Sequence, residues 1–274
     1  MRPIILVLAA GVVAITTAAP AAESVDIPNG DLTLRSALFR PPGEGPFPAV
    51  VALHGCGGLF NRSGKLASRF AKWGERLAAF GIAVVFPDSF ASRGLTSQCR
   101  VRERKVRASR ERVVDANVAR RWLQDQSWTI KERVSLIGWS DGGIATLWAV
   151  RPRALVRDGK PDFRSAVALY PGCGRLRDAA WSARVPTLIL VGQFDDWTPA
   201  VSCEQMVSDA RGRTARTSIV VYPGAHHEFD RAAFPIRMLS GLAHSADGSG
   251  RVHVGTNAAA RKDALKRVPQ WLLR

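Results

Sequence analysis

Short apolar runs recur along the chain, and each has the length of a buried strand. Residues 48–53 (Pro-Ala-Val-Val-Ala-Leu) and 82–86 are continuously apolar, as in parallel strands that are covered by helices on both faces. Similar runs at 165–170, 186–191 and 217–222 continue the pattern towards the C-terminus. The pattern favours several buried parallel strands over half-exposed strands, which alternate apolar with polar residues.

Segments with helical periodicity separate these runs. Residues 66–80 carry apolar side chains at helical spacing, and residues 113–126 and 200–211 are also predicted helices. A closing helix is predicted at 257–273, with Pro269 bending or shortening its end. Strands that alternate with helices predict an α/β fold with a doubly wound, mostly parallel sheet.

Three stretches depart from this alternation. Residues 24–42 alternate weakly and predict one or two opening strands. Residues 234–255 are rich in glycine and serine in their middle, and we expect irregular structure there. Residues 100–112 contain seven arginines and lysines against two glutamates. We interpret this basic segment as the solvent-exposed first part of the helix that follows, with docking of anions as the alternative.

The beginning of the chain has the layout of a secretory signal. Arg2 precedes an apolar stretch at 4–15 that is short for a membrane span, and residues 19–21 fit the small-x-small cleavage rule. We therefore expect residues 1–21 to be removed and residues 22–274 to form one exported domain, periplasmic or secreted. An uncleaved membrane anchor is the alternative, and no later apolar run predicts a membrane span.

Composition adds limits on the partners of the protein. The chain has 274 residues, of which 46% are hydrophobic and 23% charged, as in an ordinary globular protein. Its formal net charge of +16 favours anionic surfaces or substrates. Nucleic acid is not expected, because no recognition motif with interleaved aromatic residues is present. A basic, solvated surface is the simplest interpretation of the charge.

Candidate chemistry begins with a Gly-x-Ser-x-Gly turn at 138–142. The turn follows the run 133–137, whose residues 134–137 predict a short buried strand, and precedes a stretch with helical character, 144–150. A strand, this turn and a helix together form a nucleophile elbow, in which glycines avoid collisions with the neighbouring strand and helix. The pattern predicts Ser140 as a nucleophile, whereas an ordinary strand-to-helix turn is the alternative.

A serine nucleophile needs a base and an acid that orients the base, each at the carboxyl end of a parallel strand. Asp195 and Asp196 follow one later strand, and His226 and His227 follow the next. The order serine, acid, histidine is that of the α/β-hydrolases. Strand position alone allows either aspartate to be the acid and either histidine to be the base.

Five segments in this order resemble the α/β-hydrolase superfamily, in particular the dienelactone hydrolase family. They lie at 54–58 (His-Gly-Cys-Gly-Gly), 87–90 (Pro-Asp-Ser-Phe), 138–143, 192–199 and 222–229. The resemblance covers nearly all of the exported chain. It implies the α/β-hydrolase fold and a Ser-His-Asp triad that needs no metal and no organic cofactor.

The family pattern also selects within the two pairs. An acid four residues before a proline is Asp195, and a histidine two residues before a phenylalanine is His227. Asp196 and His226 remain the alternatives. The resemblance further implies an oxyanion hole made by the backbone N–H groups of Cys56 and Asp141. We expect His54 to be structural and to hold the oxyanion loop by hydrogen bonds. Four loop residues are candidates for the substrate pocket: Phe60, Arg62, Arg93 and Trp197.

The four cysteines of the chain allow three disulfide pairings. We favour Cys56–Cys99 and Cys173–Cys203, because each pair would join loops on the side of the sheet where the serine lies. No Cys-x-x-Cys spacing suggests zinc binding or redox chemistry.

These features predict an exported serine hydrolase that acts on a small ester or lactone through an acyl-enzyme. Dienelactone hydrolases that give the family its name carry cysteine as nucleophile, whereas this chain has Ser140, followed by the carboxylate of Asp141. A peptidase or polysaccharide deacetylase on the same fold is one alternative, since fold and triad do not determine the acyl group. A non-catalytic binding protein for anionic polymers is another.

Overall fold

The computed structural model describes residues 21–61 and 63–274. The predicted signal segment, apart from Ala21, and the candidate pocket residue Arg62 lie outside the described residues. Every helix in the described ranges is too short or too polar to cross a membrane.

A sheet of eight strands forms the centre of the molecule. The strands are β1 (Glu23–Asn29), β2 (Leu32–Phe39), β3 (Phe47–Leu53), β4 (Ala83–Pro87), β5 (Thr129–Trp139), β6 (Ala166–Leu169), β7 (Thr187–Gly192) and β8 (Thr217–Tyr222). Their order across the sheet is β1-β2-β4-β3-β5-β6-β7-β8. Within this eight-stranded sheet, the β1–β2 and β2–β4 pairs are antiparallel and the other neighbouring strands are parallel. The weakly alternating start of the chain therefore forms an edge hairpin, and the continuous apolar runs form the parallel centre.

Helices cover both faces of this sheet. They are α1 (Ser68–Ala79), α2 (Glu111–Gln124), α3 (Asp141–Ala149), α4 (Gly174–Asp178), α5 (Ala200–Asp209) and α6 (Ala258–Leu273). Apolar side chains of α1 and α6 pack in one core with one face of the strands. Those of α2, α3, α4 and α5 pack in a second core on the opposite face. The predicted doubly wound α/β sheet is confirmed.

Pro269 does not end the closing helix, which continues to Leu273. Proline has no N–H and so leaves the carbonyl oxygen four residues earlier without its helical donor. Here that oxygen belongs to Leu265, and the Arg76 side chain of α1 donates to it at 2.7 Å. The helix therefore tolerates the proline because a neighbouring helix supplies the missing donor.

The interpretation of residues 100–112 as the first part of the following helix is wrong, although most of their basic side chains are exposed as expected. Helix α2 begins only at Glu111, and Arg112 is completely buried. The residues before Glu111 are tied to the loop after β3, because Cys99 is bonded to Cys56. Five of its basic residues are exposed, whereas Arg104 is half-buried and Arg112 is buried.

Residues 234–255 are largely irregular, as expected, but they also contain two short antiparallel strands, β9 (Arg237–Leu239) and β10 (Val252–Val254). Both favoured disulfides, Cys56–Cys99 and Cys173–Cys203, are present. The first ties the loop after β3 to the basic segment, and the second ties the loop after β6 to α5.

Candidate active site

Ser140 lies in the turn between β5 and α3 with φ 54° and ψ −117°. This strained backbone costs about 1–3 kcal/mol and is typical of functional turns. A Cβ at Gly138 would lie 2.2 Å from the carbonyl oxygen of Gly142. A Cβ at Gly142 would lie 2.0 Å from the carbonyl oxygen of Leu53. Both glycines are therefore required by close backbone packing around the serine.

Two hydrogen bonds connect Ser140 through His227 to Asp195. The His227 Nε2 is 3.0 Å from the Ser140 Oγ, and the His227 Nδ1 is 2.7 Å from an Asp195 carboxylate oxygen. The carboxylate can only accept, so the Nδ1 carries the proton and the Nε2 is free to accept the serine proton. His227 and Asp195 are buried. The arrangement can transfer a proton from the serine hydroxyl to a histidine of defined tautomer.

The loop after β7 satisfies the remaining lone pairs of the Asp195 carboxylate. The backbone N–H groups of Trp197 and Thr198 donate to one oxygen at 3.0 and 2.8 Å. The Thr198 hydroxyl lies 2.9 Å from the other oxygen and 3.1 Å from the carbonyl oxygen of Tyr170. Sequence reasoning missed Thr198. A hydroxyl residue three positions after an acid, in a turn before a proline, is the signal that could have found it.

The two alternative residues are engaged elsewhere. Asp196 accepts hydrogen bonds from the backbone N–H and the ring of His253, both at 2.8 Å. The His226 Nδ1 is 2.9 Å from the carbonyl oxygen of Phe194. Neither side chain hydrogen-bonds to Ser140 within the described ranges.

The loop after β3 passes directly beside the serine. A Cβ at Gly55 would lie 3.5 Å from the Ser140 Cβ. The backbone N–H groups of Cys56 and Asp141 donate to no acceptor among the residues described by the structure. The carbonyl oxygen of Cys56 accepts from the Gln98 N–H at 2.8 Å, and the Cys56–Cys99 disulfide adds a covalent tie. Free N–H donors next to a nucleophile can bind a developing oxyanion.

His54 supports this loop in the expected way. Its Nδ1 is 2.8 Å from the carbonyl oxygen of Gly55, and its Nε2 accepts from the Ser89 N–H at 3.2 Å. Burial lowers the pKa of His54 well below 6.5, and the nearby charge of Arg112 lowers it further. A neutral ring with Nδ1–H as donor and Nε2 as acceptor satisfies both contacts.

The carboxylate that follows the nucleophile is held by two arginines. Arg104 donates to one Asp141 oxygen at 2.6 Å, and Arg112 donates to the other at 2.7 Å. Arg112 also donates to the carbonyl oxygen of His54 at 2.6 Å. The Asp141 side chain therefore faces the basic segment. Arg112 joins the start of α3 to the loop that carries Cys56, a role that the sequence did not reveal.

The candidate pocket residues have different surroundings. The Trp197 ring lies 4.7 Å from the His227 ring, measured between centroids. Phe60 forms a bridge with Leu66 and packs against the core on the α1 face. Arg93 donates to both oxygens of the buried Asp115 at 2.8 and 2.7 Å, an ion pair that accounts for its position. Of the described candidates, Trp197 is the one in ring contact with the histidine.

A buried polar network packs behind His227. The Tyr170 ring centroid is 4.5 Å from that of His227, and the Tyr170 hydroxyl donates to Asp230 at 2.6 Å. The other Asp230 oxygen accepts from the indoles of Trp73 and Trp139 at 2.8 and 3.0 Å. Burial raises the pKa of Tyr170 well above 10, so its hydroxyl remains a donor. The network fixes the surface against which the imidazole rests.

Comparisons with known proteins agree with this architecture. A candidate dienelactone hydrolase of Klebsiella pneumoniae subsp. pneumoniae superposes with a TM-score of 0.68 at 20% identity, over 92% of this chain and 98% of that chain. Thermogutta terrifontis esterase 2, phosphoramylated by tabun, superposes with a TM-score of 0.63 at 18% identity, over 95% and 97%.

A dienelactone hydrolase-like promiscuous phosphotriesterase from metagenomic libraries gives a TM-score of 0.65 at 18% identity, over 93% of this chain and 98% of that chain. These similarities establish the α/β-hydrolase fold. No curated protein matches the sequence significantly. Residues 34–274 match the dienelactone hydrolase family. The chain therefore belongs to the dienelactone hydrolase family and is a hydrolase.

Proposed function

We propose that this protein is an exported serine hydrolase that cleaves small carboxylic esters or lactones. Ser140 is the nucleophile, His227 the general base and Asp195 the acid that orients it. One observation carries the proposal: two hydrogen bonds of 3.0 and 2.7 Å run without a break from the serine hydroxyl through the imidazole to the carboxylate.

The first step forms the acyl-enzyme. The Ser140 Oγ bonds to the carbonyl carbon while its proton passes to the His227 Nε2, and the carbonyl π electrons move to oxygen. The N–H groups of Cys56 and Asp141 bind that oxyanion; one such donor contributes about 3 kcal/mol in other hydrolases. Collapse of the intermediate breaks the ester C–O bond, and the leaving oxygen takes the proton from His227.

Water completes the reaction. His227 removes a proton from the attacking water, a second tetrahedral intermediate forms, and its collapse returns the proton to Ser140 and releases the acid. Asp195 stays ionised and stabilises the imidazolium in both steps. All of these proton transfers use protein groups and water, so the proposal requires no metal or organic cofactor.

Two features support the proposed export. The beginning of the sequence has the charge and hydropathy layout of a signal segment. In addition, all four cysteines are paired in disulfides, which persist in oxidising compartments.

The test is hydrolysis of p-nitrophenyl esters with short to long acyl chains by residues 22–274 in oxidised form. We expect Ser140→Ala to lower kcat about 10⁶-fold and Asp195→Asn to lower it about 10⁴-fold. Asp196→Asn and His226→Gln are matched controls, because each changes the neighbour of a proposed triad residue. Both should stay within a few-fold of the parent protein.

Two results would contradict the proposal. Turnover that survives Ser140→Ala would exclude this serine as nucleophile. A folded, oxidised protein that hydrolyses none of the esters would move the assignment to a peptidase, a polysaccharide deacetylase or a binding protein. Peptide anilides, acetylated polysaccharides and anionic polymers would then distinguish these alternatives.

A further inference from the structure

Three side chains of metal-ligating type lie together beside the proposed triad. Asp196, His226 and His253 each offer one ligand atom, and these atoms lie within 4.8 Å of one another. We propose that these three side chains bind a divalent transition-metal ion, with zinc as the best fit. The proposal is separate from the hydrolase reaction, which uses Asp195 and His227.

The hydrogen bonds of the cluster orient its donor atoms. The Nδ1 of His226 donates to the carbonyl oxygen of Phe194 at 2.9 Å, and this leaves the Nε2 lone pair for an ion. A carbonyl that fixes a histidine through its other nitrogen is a common feature of protein metal sites. The Asp196 carboxylate is held by the His253 backbone N–H at 2.8 Å. Its second oxygen and the His253 Nδ1 share one proton at 2.8 Å, the position that an ion would take.

Two imidazoles and one carboxylate are a donor set typical of zinc, with a fourth position for water. Tetrahedral zinc with ligand bonds of about 2.0–2.1 Å places its ligand atoms about 3.3 Å apart. The Asp196–His253 pair must open slightly, and the longer separations must close by up to about 1.5 Å to reach that value. These side chains are free to make such adjustments, because Asp196 and His253 are 39% and 47% exposed.

The local charges also favour a cation. The chain carries a net charge of +16, yet no lysine or arginine forms an ion pair with Asp196 in the part of the chain described. Its only ion-pair partner there is His253, and an ion would displace the Nδ1 proton of that ring to its Nε2 or to solvent without breaking an arginine pair.

An ion at this position would join three separate segments. Asp196 lies in the loop after β7, His226 lies in the loop after β8, and His253 lies in β10. A weaker tie already connects two of them, since the Ala246 N–H, between β9 and β10, donates to the Asp196 carbonyl oxygen at 2.9 Å. Metal binding should therefore stabilise the folded protein by mass action.

The experiment titrates ZnCl₂ into residues 22–274, without a polyhistidine tag, by calorimetry and by thermal unfolding. We expect one zinc per chain and a Tm increase of about 5 °C or more when free zinc exceeds Kd about 100-fold. His253→Ala and His226→Ala should each weaken binding at least tenfold. His244→Ala is the matched control, because it removes an exposed histidine outside the cluster and should leave binding unchanged.

Cobalt provides a second readout that does not depend on stability. Co²⁺ in a site with tetrahedral character should give visible absorption bands that zinc abolishes and that both cluster variants lack. If an alanine variant does not fold, His253→Gln and His226→Gln replace it. Ser140→Ala should bind zinc normally, so loss of hydrolysis and loss of zinc binding remain distinguishable. Absence of saturable zinc binding, or equal binding by both cluster variants, would overturn the proposal.

Discussion

Arg112→Met should destabilise the protein more than any other substitution in the basic segment. Arg112 is completely buried, and its guanidinium donates both to Asp141 at 2.7 Å and to the carbonyl oxygen of His54 at 2.6 Å. Methionine has a similar length and can pack against Phe90, whose ring the guanidinium now covers at 5.2 Å. The substitution therefore removes the charge and the donors while it retains most of the apolar contact.

The size of the stability loss depends on the Asp141 carboxylate, which stays buried in Arg112→Met. Removal of one partner of a buried ion pair costs about 3–5 kcal/mol, because the other charge stays buried. Arg104 still holds Asp141 at 2.6 Å, so we expect the lower end, about 3 kcal/mol. In a domain of this size, that loss corresponds to a Tm decrease of about 6–12 °C.

Arg104→Met is the matched control. Its side chain is 17% exposed, whereas that of Arg112 is fully buried, and Arg112 continues to neutralise Asp141 in this variant. We expect a loss of about 1–2 kcal/mol, because the contact is shared with solvent and salt screens it. The difference between the two variants isolates the effect of burial.

Urea unfolding of the oxidised chain and kcat on one ester give the measurement. Arg112→Met should lower kcat as well as stability, because Arg112 connects the start of α3 to the loop of Cys56. Adding Asp141→Asn to Arg112→Met should recover at least half of the lost stability, since the buried carboxylate is then removed and the guanidinium of Arg104, which loses its partner, is 17% exposed. A loss below about 1 kcal/mol for Arg112→Met, or no recovery in the double variant, would refute this account of the pair.

Three further changes test other parts of the site. Because the pKa of His54 is lowered in the folded state, the unfolded chain binds more protons than the folded chain below pH 6.5. The free energy of unfolding should therefore decrease by up to about 1.4 kcal/mol for each unit by which the pH falls below 6.5. Urea unfolding at pH 5–7 should show a shallower decrease for His54→Gln, and equal slopes for the two proteins would argue against a neutral ring. The double variant Cys173→Ser, Cys203→Ser removes a disulfide between residues 30 positions apart and should reduce the free energy of unfolding by about 3–4 kcal/mol. An unchanged urea midpoint would contradict that value. Thr198→Val removes a hydroxyl 2.9 Å from Asp195 and should lower kcat about fivefold at nearly unchanged Tm; a proportional loss of Tm would indicate a purely structural role.

Local signals account for what the sequence could predict. Strands β3 and β4 are continuously apolar because both faces of a parallel strand are covered, and this signal needs no knowledge of distant contacts. The turn itself carries glycines because a Cβ would meet backbone atoms at 2.0–2.2 Å. Strand ends then placed the pairs Asp195–Asp196 and His226–His227 on the same edge as Ser140, and the family resemblance selected Asp195 and His227 within them. These inferences depend on periodicity and on spacing within a few residues.

The basic segment could not be predicted in the same way. A run of arginines favours solvent unless each buried member finds an acceptor. The acceptor of Arg112 is Asp141, 29 residues later in the chain, at the start of a different helix. Only the fold brings the two together, through the tie between Cys56 and Cys99 and the packing of α2 beside α3. A long-range ion pair therefore accounts for the burial of Arg112, whereas Arg100, Arg102, Lys105, Arg107 and Arg110 are exposed as the local sequence predicts.

The adjacent pairs Asp195–Asp196 and His226–His227 are a second case in which contacts distant in sequence distinguish the side chains. Asp195 and Asp196 have identical side chains, and so do His226 and His227, so composition cannot separate them. In the structure, the first acid accepts from three donors of its own loop and from His227. Its neighbour points to His253, and His226 turns to a carbonyl oxygen. The segment 237–254 supplies His253, and the contact of Asp196 with His253 distinguishes Asp196 from Asp195. A change at His253 should therefore alter zinc binding while it leaves the Ser140–His227 geometry in place, which makes the two proposed functions of these loops experimentally separable.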